Sequence, residues 1–384
     1  MTATRGEAAA RPAESGASDP KPTAVLVVDL DALARNYAKL RGLAAPAECA
    51  AVVKADAYGL GLGPVALRLF REGCRRFFVA TEAEGLALRG LLPDARTRIY
   101  VFGGPDDGAE RAFREAGLVP VLNSLAQIER WVRAGPSRAV LHVDTGMSRL
   151  GLSAADVGAL AARRDLVRGL DIEYVMTHLA CADEPAHALN GRQIEAFDRL
   201  RRALPAAKTS IGNSAGILLG GRHCGDLVRP GIGLYGGNPL SAGPNPMEPV
   251  VRLEGRVLQI REVTETTTVG YGATYSAEPP SRLAVVGVGY ADGYPRCLGN
   301  RCAAAYAGTR LPVVGRVSMD LLCLDASALP PEQLGVGDYV ELLGPTVGLD
   351  EVAAAAGTIS YEVLTGLGRR IARRYVGSAD ARRP

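Results

Sequence analysis

Short apolar runs alternate with longer segments of helical period from residue 48 to about residue 236. The runs have the length of buried strands, and the segments between them repeat their apolar positions every three or four residues. Strands that alternate with helices predict crossover connections and a parallel sheet. The predicted strands are 48–54, 76–81, 98–103, 118–123, 139–144, 172–178, 208–212 and 227–235. The predicted helices are 62–72, 83–92, 106–116, 124–134, 154–165 and 187–204.

Eight strands of this kind are the number that a closed (β/α)8 barrel of the TIM type requires. An open, doubly wound sheet is the alternative architecture. No G-x-G-x-x-G pattern follows the first strand to support it. The sequence therefore predicts an α/β fold that begins with a TIM-type barrel.

The pattern changes after about residue 250, where short Val- and Leu-rich segments are separated by Gly and Pro. This pattern is typical of a mostly antiparallel β domain. The predicted strands here are 251–263, 283–288, 301–306, 311–318 and 337–343, and the predicted helices are 350–356 and 361–374. We therefore expect a barrel domain over 23–249 and a C-terminal β domain over 250–384.

Residues 1–22 are small and polar and contain proline, which predicts a disordered tail rather than a secretory signal. The stretch 23–28 is an extra strand, and this strand (23–30 at its widest) could pack with the C-terminal domain. Asp29 or Asp31 can cap the helix 32–42 that follows.

Charge and cysteine content disfavour several classes of protein. The net charge is +3 with both signs interspersed, so no nucleic-acid partner and no membrane partner is expected. The seven cysteines and four histidines are dispersed without metal-ligand spacing, so no metal site is expected. Dispersed thiols predict a reduced, cytoplasmic protein.

Lys54 lies at the end of the first predicted barrel strand, in the segment AVVKADAYGLGLG. The carboxyl ends of barrel strands form the mouth, where active sites lie. A lysine there can condense with an aldehyde if its pKa is low enough to leave free amine. Taken alone, a lysine at a strand end is more often an exposed surface residue.

The segment VVKADAYG closely resembles the pyridoxal-phosphate lysine motif of alanine racemases. Eight further segments resemble that family in the same order, over nearly the whole chain beyond the tail: HVDTGMSRLG, MTHLACAD, GNSAGI, VRPGIGLYG, VGYGATY, GYADGYPR, GRVSMD and TISYEV. The resemblance implies pyridoxal 5'-phosphate as cofactor and the interconversion of L- and D-alanine, with a role in supplying D-alanine for peptidoglycan. It also implies a homodimer in which the β domain of one subunit completes the partner's active site.

Lys54 and Tyr271 are the two bases that the resemblance implies, and Lys54 would also hold the cofactor's aldehyde. Racemisation needs a base on each face of a planar carbanion, so two different groups suit it. A tyrosine normally titrates near ~10 and has to be tuned downward to act near neutral pH. Arg229 would donate to the pyridine nitrogen without protonating it, which favours return of the proton to the α-carbon over transamination.

The resemblance assigns other residues to the cofactor or the substrate. The residues expected to bind the cofactor are Lys54, Tyr58, Arg149, His178, Asn213, Ser214, Arg229, Gly231, Ile232 and Tyr361. Ser214 and the backbone at Gly231 and Ile232 follow strands seven and eight, where barrels commonly bind phosphate. The residues expected to contact the substrate are Arg149, Met319 and Tyr290.

His142 departs from the family pattern, because many alanine racemases carry there a lysine whose carbamate orients the arginine corresponding to Arg149. A histidine cannot supply that anion. It could accept a hydrogen bond from Arg149 when neutral, or a chloride or a water could stand in its place. Two other departures, Leu60 for a histidine and Ser318 for a cysteine, carry no expected consequence for the chemistry.

Three alternatives to an alanine racemase stay open at this point. A racemase of serine or another amino acid would share the same fold, since a pocket rejects an added hydroxyl poorly. A decarboxylase of the same architecture would carry an acid at the ring nitrogen, which Arg229 disfavours. A non-enzymatic pyridoxal-phosphate carrier would usually lack the β domain that holds Tyr271.

Overall fold

A computed structural model describes residues 21–135 and 137–377. Residues 1–20 of the predicted tail therefore lie outside the described residues. The fold class is confirmed: a closed parallel barrel with surrounding helices is followed by a mostly antiparallel β domain. Within the described residues, no helix is both long enough and apolar enough to cross a membrane.

The strands of the barrel part are β2 (Glu48–Cys49), β3 (Ala51–Val52), β4 (Arg76–Val79), β5 (Arg98–Val101), β6 (Leu118–Leu122), β7 (Arg138–His142), β8 (Asp171–Met176), β9 (Lys208–Ser210) and β10 (Leu227–Val228). The helical segments are α1 (Leu30–Ala44), α2 (Lys54–Tyr58), α3 (Leu62–Arg71), α4 (Glu82–Leu91), α5 (Glu110–Glu115), α6 (Leu125–Arg133), α7 (Ala154–Ala162), α8 (Ala188–Arg201) and α9 (Ser214–Leu219).

The remaining strands are β1 (Ala24–Asp29), β11 (Val251–Val263), β12 (Thr267–Thr268), β13 (Ser276–Ala277), β14 (Ser281–Val286), β15 (Ala303–Tyr306), β16 (Thr309–Val314), β17 (Leu322–Asp325), β18 (Tyr339–Leu343) and β19 (Ala372–Val376). The last helices are α10 (Leu349–Ala356) and α11 (Ser360–Gly366).

The barrel closes on its first strand, which β2 and β3 form in two stretches. β2 pairs with β10 and β3 pairs with β4, and all the pairings around the barrel are parallel. The carboxyl ends of all these strands consequently lie at one mouth. The strand predicted over 227–235 is wrong beyond Val228, because Pro230 has no N–H to continue the ladder and residues 232–235 form a 3-10 turn.

The second sheet includes both ends of the described chain. β1 pairs antiparallel with β11 and parallel with β19. The helix predicted over 361–374 is therefore wrong in its second half. α11 ends at Gly366, and the side chains of residues 372–376 alternate between the two faces of an edge strand.

α1 connects the two sheets directly, because it begins where β1 ends. Asp29 caps α1, and its carboxylate accepts hydrogen bonds from the backbone N–H groups of Asp31 (2.8 Å) and Ala32 (2.9 Å). Asp31 instead pairs with the guanidinium of Arg68. One hydrophobic cluster includes Phe77 and Val140 of the barrel as well as Leu253 of the second sheet. The two parts therefore share a continuous core.

Candidate active site

A cavity of about 410 Å³ opens at the mouth of the barrel. The ten residues predicted to bind the cofactor all line it: Lys54, Tyr58, Arg149, His178, Asn213, Ser214, Arg229, Gly231, Ile232 and Tyr361. His142 and Phe102 lie in the same wall. Residues that are far apart in sequence thus converge because the carboxyl ends of parallel strands meet.

Three predicted residues of the β domain do not line this cavity. Tyr271, Met319 and Tyr290 are 70%, 54% and 41% exposed. The loops of Tyr290 and Met319 are joined by backbone hydrogen bonds, from Tyr290 N to Ser318 O (3.0 Å) and from Ala291 N to Met319 O (2.9 Å). One chain therefore presents these side chains on an outer surface.

Lys54 is half-buried two residues after the end of β3, and its Nζ lies 5.9 Å from the ring centre of Phe102. Burial lowers the pKa of Lys54, and the positive charge of Arg149 lowers it further, while Glu84 acts in the opposite direction. A lowered pKa increases the fraction of free amine near neutral pH. The side chain consequently has the property that condensation with an aldehyde requires.

The segment that follows Lys54 is a turn of left-handed sense. Ala55, Asp56 and Ala57 all have φ of 53°, and Tyr58 has φ of 58°. None of these residues is glycine, and a left-handed helical conformation costs roughly 1–2 kcal/mol for each of them. Nothing in the residue types signals this turn, and the sequence prediction missed it. The turn lets both Lys54 and Tyr58 reach the same cavity.

Ser214 and Gly231 form a polar end of the cavity. Ser214 Oγ accepts hydrogen bonds from the backbone N–H groups of Gly231 (2.9 Å) and Gly233 (3.2 Å), so its own hydrogen remains to be donated. A Cβ on Gly231 would lie 2.2 Å from Tyr58 Oη, so any larger residue here would force Tyr58 to move. Asn213 caps α9 through a bond from Gly216 N (2.8 Å).

Arg229 is almost fully buried and is one of the residues that line the cavity. Its terminal nitrogens donate to Ser210 Oγ (2.5 Å), Thr177 O (2.8 Å) and Ile211 O (3.1 Å). Its Nε has no hydrogen-bond partner among the described residues. Burial lowers the pKa of Arg229 to about 9, which still leaves the guanidinium charged near neutral pH. A buried, charged donor is thus left for an acceptor in the cavity.

His178 lies beside Arg229, with Nδ1 3.4 Å from a terminal nitrogen of the guanidinium. Burial, followed by the charges of Arg229 and Arg149, lowers the pKa of His178 well below its ordinary value. The imidazole is therefore neutral at physiological pH. A neutral ring can stack on a flat aromatic ligand without adding charge to the site.

His142 is held by Asn123, a residue that the sequence prediction missed. Asn123 Nδ2 donates to the carbonyls of Phe102 and Val121 (both 2.9 Å), so Oδ1 is the acceptor for His142 Nδ1 (2.8 Å). The hydrogen must then be on Nδ1, since a carbonyl oxygen cannot donate. Burial, followed by the charge of Arg229, lowers the pKa of His142 to about 4. Within the described residues, no hydrogen bond joins His142 to Arg149.

Two family models match the chain. The model for the alanine racemase N-terminal domain matches residues 28–239, and the model for the alanine racemase C-terminal domain matches residues 250–375. The chain belongs to the alanine racemase family. This confirms the resemblance inferred from the sequence motifs.

Curated relatives of the alanine racemase family match over most of their length. The catabolic alanine racemase of Agrobacterium fabrum is 49% identical over 91% of this chain and 92% of its own length. The alanine racemase of Rhodospirillum rubrum is 50% identical over 93% of this chain and 97% of its own. A crystal structure of the alanine racemase of Bartonella henselae, with covalently bound pyridoxal phosphate, is 40% identical, has a TM-score of 0.88 and covers 93% of this chain and all of that one.

Membership of the alanine racemase family makes this chain a pyridoxal-phosphate-dependent isomerase. The cavity fits that cofactor on its own evidence. Arg229 Nε is a buried donor without a partner among the described residues, and Ser214 Oγ keeps a hydrogen that it can donate. Lys54 supplies an amine with a lowered pKa in the same wall.

Proposed function

We propose that this chain interconverts L- and D-alanine with Lys54 and Tyr271 as the two bases. The observation that carries the proposal is the convergence of Lys54, Arg229 and Ser214 on one cavity. These side chains supply a free amine, a buried unpaired donor and a hydroxyl donor. An aldehyde, a ring nitrogen and a phosphate are the three groups that such donors would hold.

When bound, the cofactor supplies an electron-withdrawing system that acidifies the α-proton of an attached amino acid. Lys54 would hold the aldehyde carbon and, once freed as an amine, move the proton on one face of the α-carbon. Arg229 would donate to the ring nitrogen and retain its own proton, because its pKa lies above neutral. That arrangement favours reprotonation at the α-carbon.

Ser214, the backbone of Gly231 and Ile232, and the hydroxyls of Tyr58 and Tyr361 would hold the phosphate. Burial raises the pKa of Tyr361 to about 12, so its hydroxyl keeps its proton and can donate it. Tyr58 stacks on Tyr235 with ring centres 4.5 Å apart, which restricts its movement. Arg149, beside Lys54 in the cavity wall, would receive the substrate carboxylate.

We further propose that the protein acts as a homodimer with shared sites. Tyr271 is 70% exposed and does not line the cavity of its own chain, so the second base would come from the partner copy. Met319 and Tyr290 would approach the substrate together with it. Their exposure on one chain supports the proposal, because substrate-contacting residues are otherwise expected to lie inside a cavity.

The decisive experiment measures α-deuterium incorporation into L- and D-alanine by the purified protein in deuterated buffer. We expect incorporation into both enantiomers, and stereospecific loss of exchange with one enantiomer in Tyr271→Phe and of all exchange in Lys54→Ala. Equal exchange by Lys54→Ala and wild type would refute the proposal. Serine is tested in parallel. If serine exchanges its α-proton faster than alanine does, serine becomes the assigned substrate.

The physiological role is a separate proposal, in which the chain supplies D-alanine for peptidoglycan in the cytoplasm. All seven cysteines are free thiols, which supports a reducing compartment. The relatives include proteins named as catabolic as well as proteins named simply as alanine racemase. A deletion strain that needs D-alanine to grow would support the supply role. A strain that instead fails to grow on alanine as carbon source would contradict it.

A further inference from the structure

We propose that Arg373 and Tyr375 of β19 are positioning residues for the active site. They hold the left-handed turn α2 from the side of the second domain and thereby set where Lys54 and Tyr58 lie relative to each other. This inference rests on the proposed function, which makes Lys54 and Tyr58 ligands of the cofactor. Neither positioning residue lines the cavity.

Arg373 and Tyr375 reach the end of the turn through three hydrogen bonds. Arg373 Nε (3.1 Å) and Nη2 (2.9 Å) both donate to the carbonyl of Gly59. Tyr375 Oη donates to the carbonyl of Leu60 (2.9 Å). Two successive carbonyls after Tyr58 are therefore fixed by side chains from a strand more than three hundred residues later in the chain.

The side chains of β19 pack closely against the residues that follow the turn. A Cβ on Gly61 would lie 2.1 Å from Tyr375 Oη, and Gly61 has φ of +101°. Arg373 is itself held, since Nη1 donates to Gly368 O (3.0 Å) and Ile371 O (3.1 Å), while Nη2 donates to Leu367 O (3.1 Å). The guanidinium thus joins the turn rigidly to the segment between α11 and β19.

The turn needs such external support. Four consecutive non-glycine residues in the left-handed region are unfavourable, and a conformation of this kind persists only where the surroundings fix it. On the barrel side, Glu84 Oε1 accepts a hydrogen bond from Ala55 N (2.8 Å), which fixes the start of the turn. Arg373 and Tyr375 fix its end. Release of the end would let the backbone relax and move Tyr58 away from Lys54.

β19 also provides a matched control. Its side chains alternate, so Arg374 points to the opposite face from Arg373 and Tyr375 and lies 3.4 Å from Glu254. Arg374→Met removes the same charge from the same strand as Arg373→Met does. It leaves the hydrogen bonds to Gly59 and Leu60 in place.

The experiment compares the full-length wild type with Arg373→Met, Arg373→Lys, Tyr375→Phe and Arg374→Met. Amide hydrogen exchange of residues 54–61 is measured by mass spectrometry, with and without pyridoxal phosphate. The dissociation constant of the cofactor is measured from its visible absorbance. We expect Arg373→Met to speed exchange in this segment about tenfold and to weaken cofactor binding about tenfold. Arg373→Lys, which keeps the charge and one donor nitrogen, and Tyr375→Phe should have intermediate effects.

Unchanged exchange in residues 54–61 and unchanged cofactor affinity in Arg373→Met and Tyr375→Phe would overturn the inference. Faster exchange spread over the whole chain would overturn it as well, because it would show general destabilisation. If Arg373→Met does not fold, hydrogen exchange and cofactor affinity are compared between Arg374→Met and the two milder variants, Arg373→Lys and Tyr375→Phe. Failure of the proposed function gives a different result from failure of this inference. If the proposed function is wrong, the wild type does not bind the cofactor at Lys54. Hydrogen exchange in the cofactor-free variants still shows whether Arg373 and Tyr375 hold the turn.

Discussion

At the scale of single residues, the environment of Lys54 decides when it is reactive. Burial disfavours its charged form, and Arg149 repels that form, so both lower the pKa of Lys54. The free amine therefore forms at lower pH than in an exposed lysine. Loading of the cofactor should accordingly begin at a pH where an ordinary lysine is still almost fully protonated.

We predict that Lys54 in the cofactor-free protein titrates below the ordinary lysine value of about 10.4, and that Arg149→Leu raises its pKa. The pH dependence of amine labelling at Lys54, followed by mass spectrometry, measures both. Arg163→Leu, on the exposed surface, is the control and should leave the titration unchanged. A Lys54 pKa at or above the ordinary value in the wild type would contradict the prediction.

His142 leads to a second prediction at this scale. Because Asn123 keeps the hydrogen on Nδ1 and the pKa is about 4, His142 is neutral above about pH 5, and its Nε2 is an acceptor. Racemase activity should therefore not respond to added bicarbonate and should show no titration of His142 near 6.5. His142→Gln, which keeps a neutral acceptor, should retain most of the activity. A marked gain in wild-type activity on adding bicarbonate to carbon-dioxide-free protein would refute this account.

Some residues at or near the site are indicated by the local sequence pattern, and others are not. Lys54 and Arg229 follow buried strands of a predicted barrel, and such strand ends indicate a mouth before any contact is known. Asn123 and Arg373 carry no such signal, since their partners are brought to them only by tertiary contacts. The sequence could therefore predict residues that line the cavity but not the residues that hold them from outside it.

At the scale of elements, the helices predicted in the barrel lie close to the observed ranges, and the barrel strands are shorter than predicted. Apolar runs indicate which residues are buried. A strand, however, ends where its backbone hydrogen bonds to the neighbouring strand end, and β10 ends before Pro230. Residues 372–374 were predicted as the end of the helix over 361–374, but the strand β19 spans residues 372–376. They form an edge strand because β1 offers its free side to them.

Gly231 lies where β10 ends and the chain turns across the cavity, which gives a prediction at the level of elements. In Gly231→Ala the new Cβ would meet Tyr58 Oη at 2.2 Å, so Tyr58 has to move. Overpacking of this kind costs about 1–3 kcal/mol, and we expect cofactor affinity to fall about tenfold or more. The dissociation constant measured from cofactor absorbance tests this.

Gly158→Ala is the matched control for Gly231→Ala. Gly158 lies in α7, and no heavy atom lies within 4 Å of the position that its Cβ would take. The substitution should stabilise the protein by roughly 0.5–1 kcal/mol without changing cofactor binding. Equal affinities for the two alanine variants and the wild type would show that Tyr58 does not contact the cofactor.

At the scale of the whole molecule, the proposed catalytic residues lie in two separate places on the described chain. Among the described residues, the barrel cavity is lined by the amine of Lys54, by Arg229 with its unpaired Nε, and by a polar end at Ser214 and Gly231. The phenol of Tyr271 lies on the outer surface of the β domain instead. A closed two-fold assembly would bring the surface of one copy to the cavity of the other, since an isologous contact uses each patch twice. The sequence motifs point to Lys54 and Tyr271 as the proposed bases, and the structure places Lys54 in the cavity and Tyr271 outside it within one chain.

Subunit complementation is the prediction that follows. Lys54→Ala and Tyr271→Phe should each be nearly inactive alone, whereas mixing and reassembling the two should restore up to about a quarter of wild-type activity. Half of the reassembled dimers would carry both mutations, and in each of these one site would have an intact Lys54 facing an intact Tyr271. The measurement is the racemisation rate after co-refolding or co-expression, with Lys54→Ala mixed with itself as the control. No recovery in a mixture whose heterodimers are verified by mass spectrometry would mean that Lys54 and Tyr271 act within a single chain, or that they do not act together at all.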